Sequence, residues 1–207
     1  MEDLKAHFPL SCLLIDYGGV LAEEGFRQGL LAIAERFDKD PEEFFILAGE
    51  LVYSCGYVTG QASEHDYWQA VRKESGITAD DRFLTDQILS RFIPRPGMLQ
   101  MVQSLKEKGI TVCILSDQSD WLDRLNATFH FFQIFDHVFN SFHLGKTKRD
   151  ISIFGDVLAE VNHPPASTLF VDDNKGHIER ARQCGLQTHL FYDEEGFRFF
   201  LRNNNLL

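Results

Sequence analysis

Polar residues that could bind a phosphate or a metal ion follow four apolar stretches of the chain. They are Asp16, the pair Ser116 and Asp117, the lysine-containing segment 141–148, and the pair Asp172 and Asp173. Each has an ordinary structural explanation when taken alone, because an aspartate or serine after a strand often caps a helix or forms a turn. Four such groups in succession are harder to explain in that way, and together they indicate a functional site.

The residue types in these groups suit phosphate chemistry. The carboxylates of Asp16, Asp172 and Asp173 would repel one another if they met, and a divalent cation such as Mg²⁺, which prefers oxygen ligands, would relieve that repulsion. The hydroxyl of Ser116 and the ammonium group of a lysine suit phosphate oxygens. An aspartate carboxylate can also attack phosphorus to give an aspartyl-phosphate, with a metal and a lysine stabilising the charge that develops.

The pattern of apolar residues predicts elements that would bring these groups together. Strand-type stretches at 10–17, 110–115, 137–141, 168–171 and 186–192 alternate with stretches of helical periodicity. This alternation predicts a mainly parallel sheet with helices on both faces. Because the carboxyl ends of parallel strands share one edge of the sheet, and ligands bind at that edge in open α/β sheets, the four polar groups are expected to meet there.

A helical insertion separates the first strand from the rest of the pattern. Helical periodicity recurs four times between residues 23 and 94, with no convincing strand. Asp40, Pro41 and Glu43 have the pattern of an N-cap, a first-turn proline and a capping box. Ser63 begins the next helix, and the fourth is expected at about 79–92. The predicted division is a core of residues 1–22 and 95–207 and a helical unit of residues 23–94.

Composition excludes several classes of protein. The formal net charge of −11 argues against nucleic-acid binding through phosphate contacts. No apolar stretch has the length of a membrane span, and residues 1–5 lack the pattern of a signal peptide, so we expect a cytoplasmic protein with no membrane or nucleic-acid partner. The four cysteines, at 12, 55, 113 and 184, lack metal-binding spacing and are expected to be free thiols; no histidine is assigned to a metal.

At the four polar groups the chain resembles subfamily I phosphohydrolases of the haloacid dehalogenase (HAD) superfamily. The similar segments are residues 16–21 (DYGGVL), Ser116, residues 141–148 (SFHLGKTK) and residues 170–174 (FVDDN), and the resemblance spans residues 10–192. It implies a Rossmann-like, three-layer α/β core with a four-helix cap inserted after the first motif. It also implies a Mg²⁺-dependent phosphatase that acts on a small phosphomonoester through an aspartyl-phosphate.

The resemblance implies a metal site at two strand ends. Asp16 matches the position of the family's nucleophile, which is also a metal ligand. The backbone carbonyl of Gly18 falls where the family takes another ligand. Of the acidic pair, Asp173 is implied to be the better inner-sphere ligand, with Asp172 close by. The expected cofactor is therefore Mg²⁺, held by these residues.

The resemblance implies a phosphate-binding set from the other two strands. Ser116 matches the family's phosphate-binding serine or threonine, and Asp117 is assigned to the same subsite. The glycine-x-x-lysine spacing of the third motif selects Lys148 rather than Lys146 as the residue that binds phosphate and assists catalysis. The partner implied by these residues is a small phosphorylated metabolite.

Two positions depart from the family pattern. Family phosphatases commonly carry a second aspartate two residues after the nucleophile as general acid and base, and this chain has Gly18 there; Arg149 replaces a common proline after the third-motif lysine. A leaving group must then obtain its proton elsewhere. Glu23 and Glu24 have two interpretations: solvated residues at the start of the cap, which the sequence favours, or proton donors folded back under it.

Two other functions remain open at this stage. A haloacid dehalogenase would use the same aspartate to attack carbon, with no metal and no acid at position 18. A catalytically weak relative that binds metal and phosphate would also tolerate the missing acid. The acidic pair at 172–173 favours the phosphatase, because a metal-free site has little use for that much negative charge beside Asp16. In the cap, Tyr53, Tyr57 and Trp68 either line the substrate site or pack in the interior.

Overall fold

A five-stranded, wholly parallel sheet is the centre of the protein, whose computed structural model describes residues 10–207. The strand order is β3-β2-β1-β4-β5. The strands are β1 (Cys12–Ile15), β2 (Thr111–Ser116), β3 (His137–Asn140), β4 (Thr168–Asp172) and β5 (Gln187–Leu190). The predicted α/β fold with a parallel sheet is confirmed, although β1 and β5 are shorter than the predicted 10–17 and 186–192.

Helices cover both faces of the sheet, and four of them lie between β1 and the next core helix. The helices are α1 (Gly25–Arg36), α2 (Pro41–Ser54), α3 (Glu64–Ser75), α4 (Asp81–Leu89), α5 (Pro96–Glu107), α6 (Trp121–Phe129), α7 (Ser141–Leu144), α8 (Ser152–Val161), α9 (Lys175–Gln183) and α10 (Glu194–Asn203). The inserted four-helix unit is thus α1–α4. Its predicted division at residues 22/23 and 94/95 stays a prediction, and residues 1–9 of the predicted core lie outside the described residues.

Side-chain caps set where the inserted helices begin. Asp40 accepts the Glu43 N–H at 2.9 Å and so begins α2, whereas a reciprocal capping box is formed at α3, between Ser63 and Asp66. Asp80 accepts the Phe83 N–H at 2.7 Å, which makes it the N-cap of α4. The fourth helix is therefore shorter than the predicted 79–92.

The segment between β3 and β4 differs from its predicted form. The sequence predicts a strand that continues to residue 141. In the structure β3 ends at Asn140, and the short helix α7 begins at Ser141. The next helix, α8, begins at Ser152, and its cap position is Ile151 rather than the neighbouring Asp150. Asp150 nevertheless accepts the Ser152 N–H at 2.9 Å, so it stabilises the turn that leads into the helix.

The core has two halves, one on each face of the sheet. Alternate residues of a strand point to opposite faces, and so Leu13 and Ile15 of β1 pack with α5, α6, α10 and the inserted helices. Cys12 and Leu14 pack on the other face with α8 and α9. Because β1 is covered on both faces, it is apolar at every position, as is typical of a central parallel strand.

The order of the strands creates a crevice at the carboxyl end of β1. From β1 the chain moves outward to β2 and β3, and it then returns to the other side of β1 to form β4 and β5. Ile15 is in register with Ile114 on β2 and with Val171 on β4. Asp16 and Asp172 each follow one of these paired residues, so both lie at the point where the strand order reverses, which is where open α/β sheets bind ligands.

Two expectations from composition concern membranes and thiols. Within residues 10–207, no helix combines the length and the apolar character that a membrane span requires. All four cysteines are free, as predicted. Cys12 and Cys113 are buried in neighbouring strands of the sheet, whereas Cys55 and Cys184 are partly exposed.

Candidate active site at the edge of the sheet

Asp16 lies directly after β1, and three groups hold its carboxylate. Its Oδ1 accepts hydrogen bonds from the Ser116 hydroxyl and the Tyr17 N–H, both at 2.7 Å, and its Oδ2 lies 2.8 Å from the Lys148 ammonium. Burial raises the pKa of Asp16 to about 6, against the opposing effect of Lys148. The carboxylate therefore has one orientation on a rigid strand, which is what a group that attacks a bound substrate requires.

Lys148 is fully buried, and its ammonium group bridges two carboxylates. Nζ lies 2.8 Å from Asp16 Oδ2 and 2.7 Å from Asp172 Oδ2. Burial alone would lower the pKa of Lys148, but the two carboxylates outweigh it and raise the pKa above its ordinary value. Lys146 instead pairs with Asp156 on α8. The geometry thus brings Lys148, and not Lys146, to Asp16.

Ser116 and Asp117 follow one another at the end of β2 but have different contacts. Ser116 bonds directly to Asp16, whereas Asp117 Oδ1 accepts the backbone N–H of Lys148 at 2.8 Å. Asp117 Oδ2 accepts the Tyr53 hydroxyl at 3.5 Å. Asp117 therefore holds the loop that carries Lys148, and its predicted role in substrate binding stays a prediction.

Asp172 is the last residue of β4, and its carboxylate has several partners. Oδ2 contacts Lys148 at 2.7 Å and His177 Nδ1 at 3.2 Å, and Oδ1 accepts the Asn174 N–H at 2.7 Å. Burial would raise the pKa of Asp172, but Lys148 and His177 outweigh it and lower the pKa to about 2. Since both oxygens are engaged, this residue is better suited to positioning Lys148 than to binding an ion directly.

Asp173 begins the turn after β4 and lies against the backbone of the glycine turn after β1. A Cβ atom on Gly19 would lie 2.1 Å from Asp173 Oδ2, and Gly19 has a φ of +75°, so both the space and the backbone conformation require glycine here. Although the residue is exposed at the surface, desolvation of its carboxyl group and the nearby carboxylates of Asp16 and Asp172 raise the pKa of Asp173 to about 7. Its surroundings are therefore dominated by negative charge.

The three carboxylates form an acidic cluster that fits a divalent cation. One oxygen each from Asp16, Asp172 and Asp173 lies within 4.8 Å of the other two. Mg²⁺ takes oxygen ligands at about 2.0–2.1 Å, and a cation among these oxygens would offset the repulsion that raises the pKa of Asp173. Asp16 and Asp173 are the expected ligands, with the Gly18 carbonyl as a third, and these assignments stay predictions.

A cavity of about 150 Å³ is lined by Asp16 and Asp173 of this cluster. Asp16, Ser116 and Lys148 form part of its wall. Much of the remaining wall is apolar or aromatic and comes from the insertion and from the start of α6: Phe26, Val52, Tyr53, Val58 and Trp121. The two other aromatic residues considered from the sequence, Tyr57 and Trp68, are buried in the core.

The two glutamates after the glycine turn lie in different environments. Glu24 lines the cavity and caps α1, and burial raises its pKa. Glu23 is half-exposed and accepts two hydrogen bonds of 3.1 Å from Arg95, which lower its pKa. The interpretation of both as solvated residues is therefore wrong for Glu24.

His177 is a site residue that no sequence pattern indicates. It lies on the first turn of α9, lines the cavity and contacts Asp172. Isolated histidines have no spacing signal, and this contact depends on where α9 begins relative to β4. Gln118 and Ser119, which also line the cavity, follow Asp117 on the loop before α6. Their proximity to the predicted Ser116 was the available signal.

The fold and the geometry of the site define a class of protein, a Rossmann-like α/β protein with an acidic site at the strand ends. Comparison with known proteins agrees with this class. A family model described as a haloacid dehalogenase-like hydrolase matches residues 11–185. The chain belongs to this family of hydrolases.

Sequence relatives share only part of their length with this chain. Bifunctional epoxide hydrolase 2 of Rattus norvegicus is 33% identical over 131 residues, which are 58% of this chain and 24% of the relative. The protein of that name from Sus scrofa is 29% identical over 134 residues, 59% of this chain and 24% of the relative. The match thus covers about a quarter of the length of these relatives.

Solved structures have the same fold at low identity. A HAD family enzyme of Bacteroides thetaiotaomicron, bt-2542, described as a magnesium complex, superposes with a TM-score of 0.72 at 21% identity, covering 94% of this chain and 99% of that one. The L-2-haloacid dehalogenase of Xanthobacter autotrophicus, with chloropropionic acid covalently bound, gives 0.66 at 18% identity, covering 96% and 84%. Both are evidence for the fold alone.

Proposed function

We propose that the protein is a Mg²⁺-dependent phosphatase that removes phosphate from a small phosphomonoester through an aspartyl-phosphate on Asp16. The observation that carries the proposal is the packing of one carboxylate, Asp16, between a buried ammonium group and two further carboxylates. A carboxylate in this position can act as a nucleophile toward an anionic substrate only if the local negative charge is offset. Lys148 offsets part of it, and a cation at the acidic cluster would offset the rest.

The residues of the site divide the work of such a reaction. Asp16 would attack phosphorus, with its orientation set by Ser116 and Lys148. The same hydroxyl and ammonium groups would donate hydrogen bonds to phosphate oxygens, and Asp172 would hold Lys148 in place. When bound, Mg²⁺ supplies Lewis-acid stabilisation of the phosphoryl charge. Its ligands would be Asp16, Asp173 and the Gly18 carbonyl.

Two relatives support different chemistries. The bt-2542 enzyme is also described in a complex with magnesium and inorganic phosphate, which is in accord with phosphate chemistry on this fold. The Xanthobacter dehalogenase supports the alternative in which Asp16 attacks carbon, and the missing side chain at Gly18 favours that alternative too. The acidic cluster favours the phosphatase, because a metal-free dehalogenase would gain nothing from two more carboxylates beside Asp16.

The cavity lining indicates the class of phosphomonoester. Lys148 is the sole lysine or arginine among the described residues that line the cavity, and it is already paired with two carboxylates. The site therefore has little to offer a second phosphate on the leaving group. Phe26, Val58 and Trp121 instead favour a small, uncharged and partly apolar leaving group.

The proposal is tested by measuring which bond the protein breaks. Phosphate release is measured for an aryl phosphate, several sugar phosphates and a nucleoside diphosphate, with and without Mg²⁺, and halide release for 2-chloropropionate. We expect Mg²⁺-dependent phosphate release from small monoesters, little release from the diphosphate and no halide release. Metal-independent halide release would establish the dehalogenase instead.

Replacing the nucleophile gives a second test. Asp16→Asn should abolish turnover, because an amide neither attacks phosphorus nor binds a cation well. The Asn side chain has nearly the same volume, so the circular dichroism spectrum should be unchanged. If the variant kept most of the wild-type rate, the assignment of the nucleophile would be wrong.

A further inference from the structure

A reaction that expels an alkoxide needs a proton donor, and few side chains in the cavity are available for that task. The carboxyl groups lining the cavity belong to Asp16, Glu24, Asp117 and Asp173. Asp16 is the proposed nucleophile and Asp173 a proposed metal ligand. Asp117 holds the Lys148 N–H with one oxygen and the Tyr53 hydroxyl with the other. Glu24 remains, and its one role described so far is to cap α1.

The two oxygens of Glu24 are in different situations. Oε2 accepts the Arg27 N–H at 2.5 Å, because Glu24 is the N-cap of α1. This hydrogen bond ties the side chain to the end of a helix and limits its motion. Oε1 lies on the side of Gly18, 3.7 Å from the place where a Cβ atom on that glycine would be. One oxygen therefore anchors the side chain, and the other is directed at the turn that follows the nucleophile.

Glu23 serves as a comparison within the same turn. Both of its oxygens accept hydrogen bonds from Arg95, which also donates to the Gly19 carbonyl at 2.7 Å. Glu23 is not among the residues that line the cavity, and its side chain is half-exposed. The two adjacent glutamates thus differ: Glu23 stabilises the glycine turn through Arg95, and the Glu24 side chain lines the cavity.

Because Gly18 has no side chain, the carboxyl group of Glu24, at the start of the insertion, can lie in the space beside it. The atoms nearest a Cβ at position 18 belong to Phe92, Gln118 and Glu24. A side chain at position 18 would compete with them for that space, with the Phe92 ring at 3.2 Å. Glycine at this position leaves room for the Glu24 carboxyl group instead.

We propose that Glu24 is the proton donor of this site, delivering from the first turn of the insertion the carboxyl group that position 18 lacks. The proposal rests on the proposed phosphatase function. In the first half-reaction the bond between phosphorus and the ester oxygen breaks, a bond between phosphorus and Asp16 forms, and the Glu24 proton moves to the departing oxygen to give a neutral alcohol. In the second, Glu24 takes a proton from the water that attacks phosphorus, the bond to Asp16 breaks, and inorganic phosphate leaves.

A series of phosphomonoesters with graded leaving-group pKa tests the proposal. A general acid contributes about 10²–10⁴-fold, and it helps poor leaving groups most. For Glu24→Gln we therefore expect a loss of about 10²-fold or more with alkyl phosphates and little loss with a nitrophenyl phosphate. The rate of the variant should fall steeply as the leaving-group pKa rises, whereas the wild-type series should be much flatter.

Matched variants separate proton donation from structural effects. Gln at position 24 can still accept the Arg27 N–H through its amide oxygen, so the unfolding temperature should be unchanged. Glu23→Gln, which removes the adjacent charge, should follow the wild-type series. Adding Gly18→Asp to Glu24→Gln should restore part of the alkyl phosphate activity. Should that double variant fail to fold because of Phe92, the single variants still decide the matter.

The outcomes distinguish this proposal from the one it rests on. Equal losses for all esters in Glu24→Gln, or no loss for any of them, would overturn the role of Glu24 while phosphate release in the wild type stands. An effect of Glu23→Gln as large and as steep as that of Glu24→Gln would also overturn it. Absence of phosphate release by the wild type would overturn the proposed function, and the role of Glu24 with it.

Discussion

The ammonium group of Lys148 neutralises two buried carboxylates at once, which makes this side chain important for stability as well as for the proposed chemistry. Removing one partner of a buried ion pair leaves an uncompensated charge and typically costs about 3–5 kcal/mol. Lys148→Ala should therefore lower the free energy of unfolding by about that amount in metal-free protein, in addition to any loss of activity. Urea unfolding at neutral pH measures it.

Lys146 supplies the control for this prediction. It is paired with Asp156 near the surface, so Lys146→Ala should change both stability and activity only slightly. A severe defect at 146 with a mild one at 148 would mean that the lysine of the third motif had been placed two residues away from its true position.

The two aspartates at the end of β4, Asp172 and Asp173, should have different roles. Asp173→Ala should weaken Mg²⁺ binding directly, because its carboxylate faces the cluster beside Gly19. Asp172→Ala should act chiefly by releasing Lys148, and so should destabilise the fold more. Isothermal titration with Mg²⁺ ranks the two variants by metal affinity, and urea unfolding ranks them by stability. Reversed or equal losses of Mg²⁺ affinity would refute the ranking of the metal ligands.

The meeting of Asp16, Ser116 and Asp172 was predictable, because parallel strands deliver their last residues to one edge of the sheet. Lys148, which lies beyond α7, was selected by the glycine-x-x-lysine spacing of the resembled family. The contacts of Asp117 were not predictable, and neither was the choice between the two interpretations of Glu24. Each depends on the direction of a side chain relative to an element that is distant in sequence: Asp117 turns toward the Lys148 backbone, and Glu24 turns inward because its carboxylate caps α1. Residue types and spacing carry no information about such directions.

At the scale of elements, the glycine turn after β1 couples the backbone to the acidic cluster. Gly19→Ala should strain the backbone at φ +75° by about 1–3 kcal/mol and push Asp173 aside, since the new Cβ would overlap its carboxylate. We expect lower stability together with weaker Mg²⁺ binding, measured by urea unfolding and calorimetric titration.

Gly49 on α2 is the matched control for the glycine turn. A Cβ there would meet no atom within 4 Å, and the residue lies inside a helix. Gly49→Ala should therefore stabilise the protein by about 0.5–1 kcal/mol, with Mg²⁺ binding unchanged. Unaltered Mg²⁺ affinity in Gly19→Ala would show that the position of Asp173 does not depend on this turn.

Elements whose burial imposes a regular apolar pattern were predicted well. Elements whose limits are set by local hydrogen bonds were predicted less well. β1, β2 and β4 are covered on both faces, and their continuous apolar stretches were clear in the sequence. The limits of both the buried strand β1 and the partly buried edge strand β5 were overestimated, so apolar stretches locate a strand better than they fix its ends. The start of α4 and the existence of α7 depend on caps at Asp80 and Asn140, where apolar periodicity gives no guidance.

For the whole molecule, the acidic cluster should make stability depend on pH and on the proposed Mg²⁺ binding. An unfolded aspartate releases its proton at a pKa of about 3.9, whereas the pKa of Asp173 in the folded, metal-free protein is raised to about 7. When folding raises the pKa of a carboxyl group, the protonated group stabilises the folded state at pH values below the unfolded pKa. This stabilisation is lost as the pH rises through the folded pKa. The metal-free protein should therefore lose stability between about pH 4 and 7 through this group.

Mg²⁺ should reverse this trend, because it binds the ionised carboxylate. The increase in unfolding temperature on adding Mg²⁺ should grow as pH rises from 5.5 to 8, and it should be small at the acid end. Asp173→Asn should flatten both curves, which separates this group from the other titrating residues. An unfolding temperature that Mg²⁺ raised equally at all pH values would contradict the proposed site.

The position of β1 has a consequence for how the protein is made. It is the first of the described strands along the chain and the middle one in the sheet, pairing with residues 111–114 on one side and 168–171 on the other. During synthesis its apolar stretch leaves the ribosome long before either neighbour, with both edges open to pairing with other chains. The nascent chain must therefore protect this strand through most of its translation, and Asp16 gains Ser116 and Lys148 as partners only after more than half of the chain has been made.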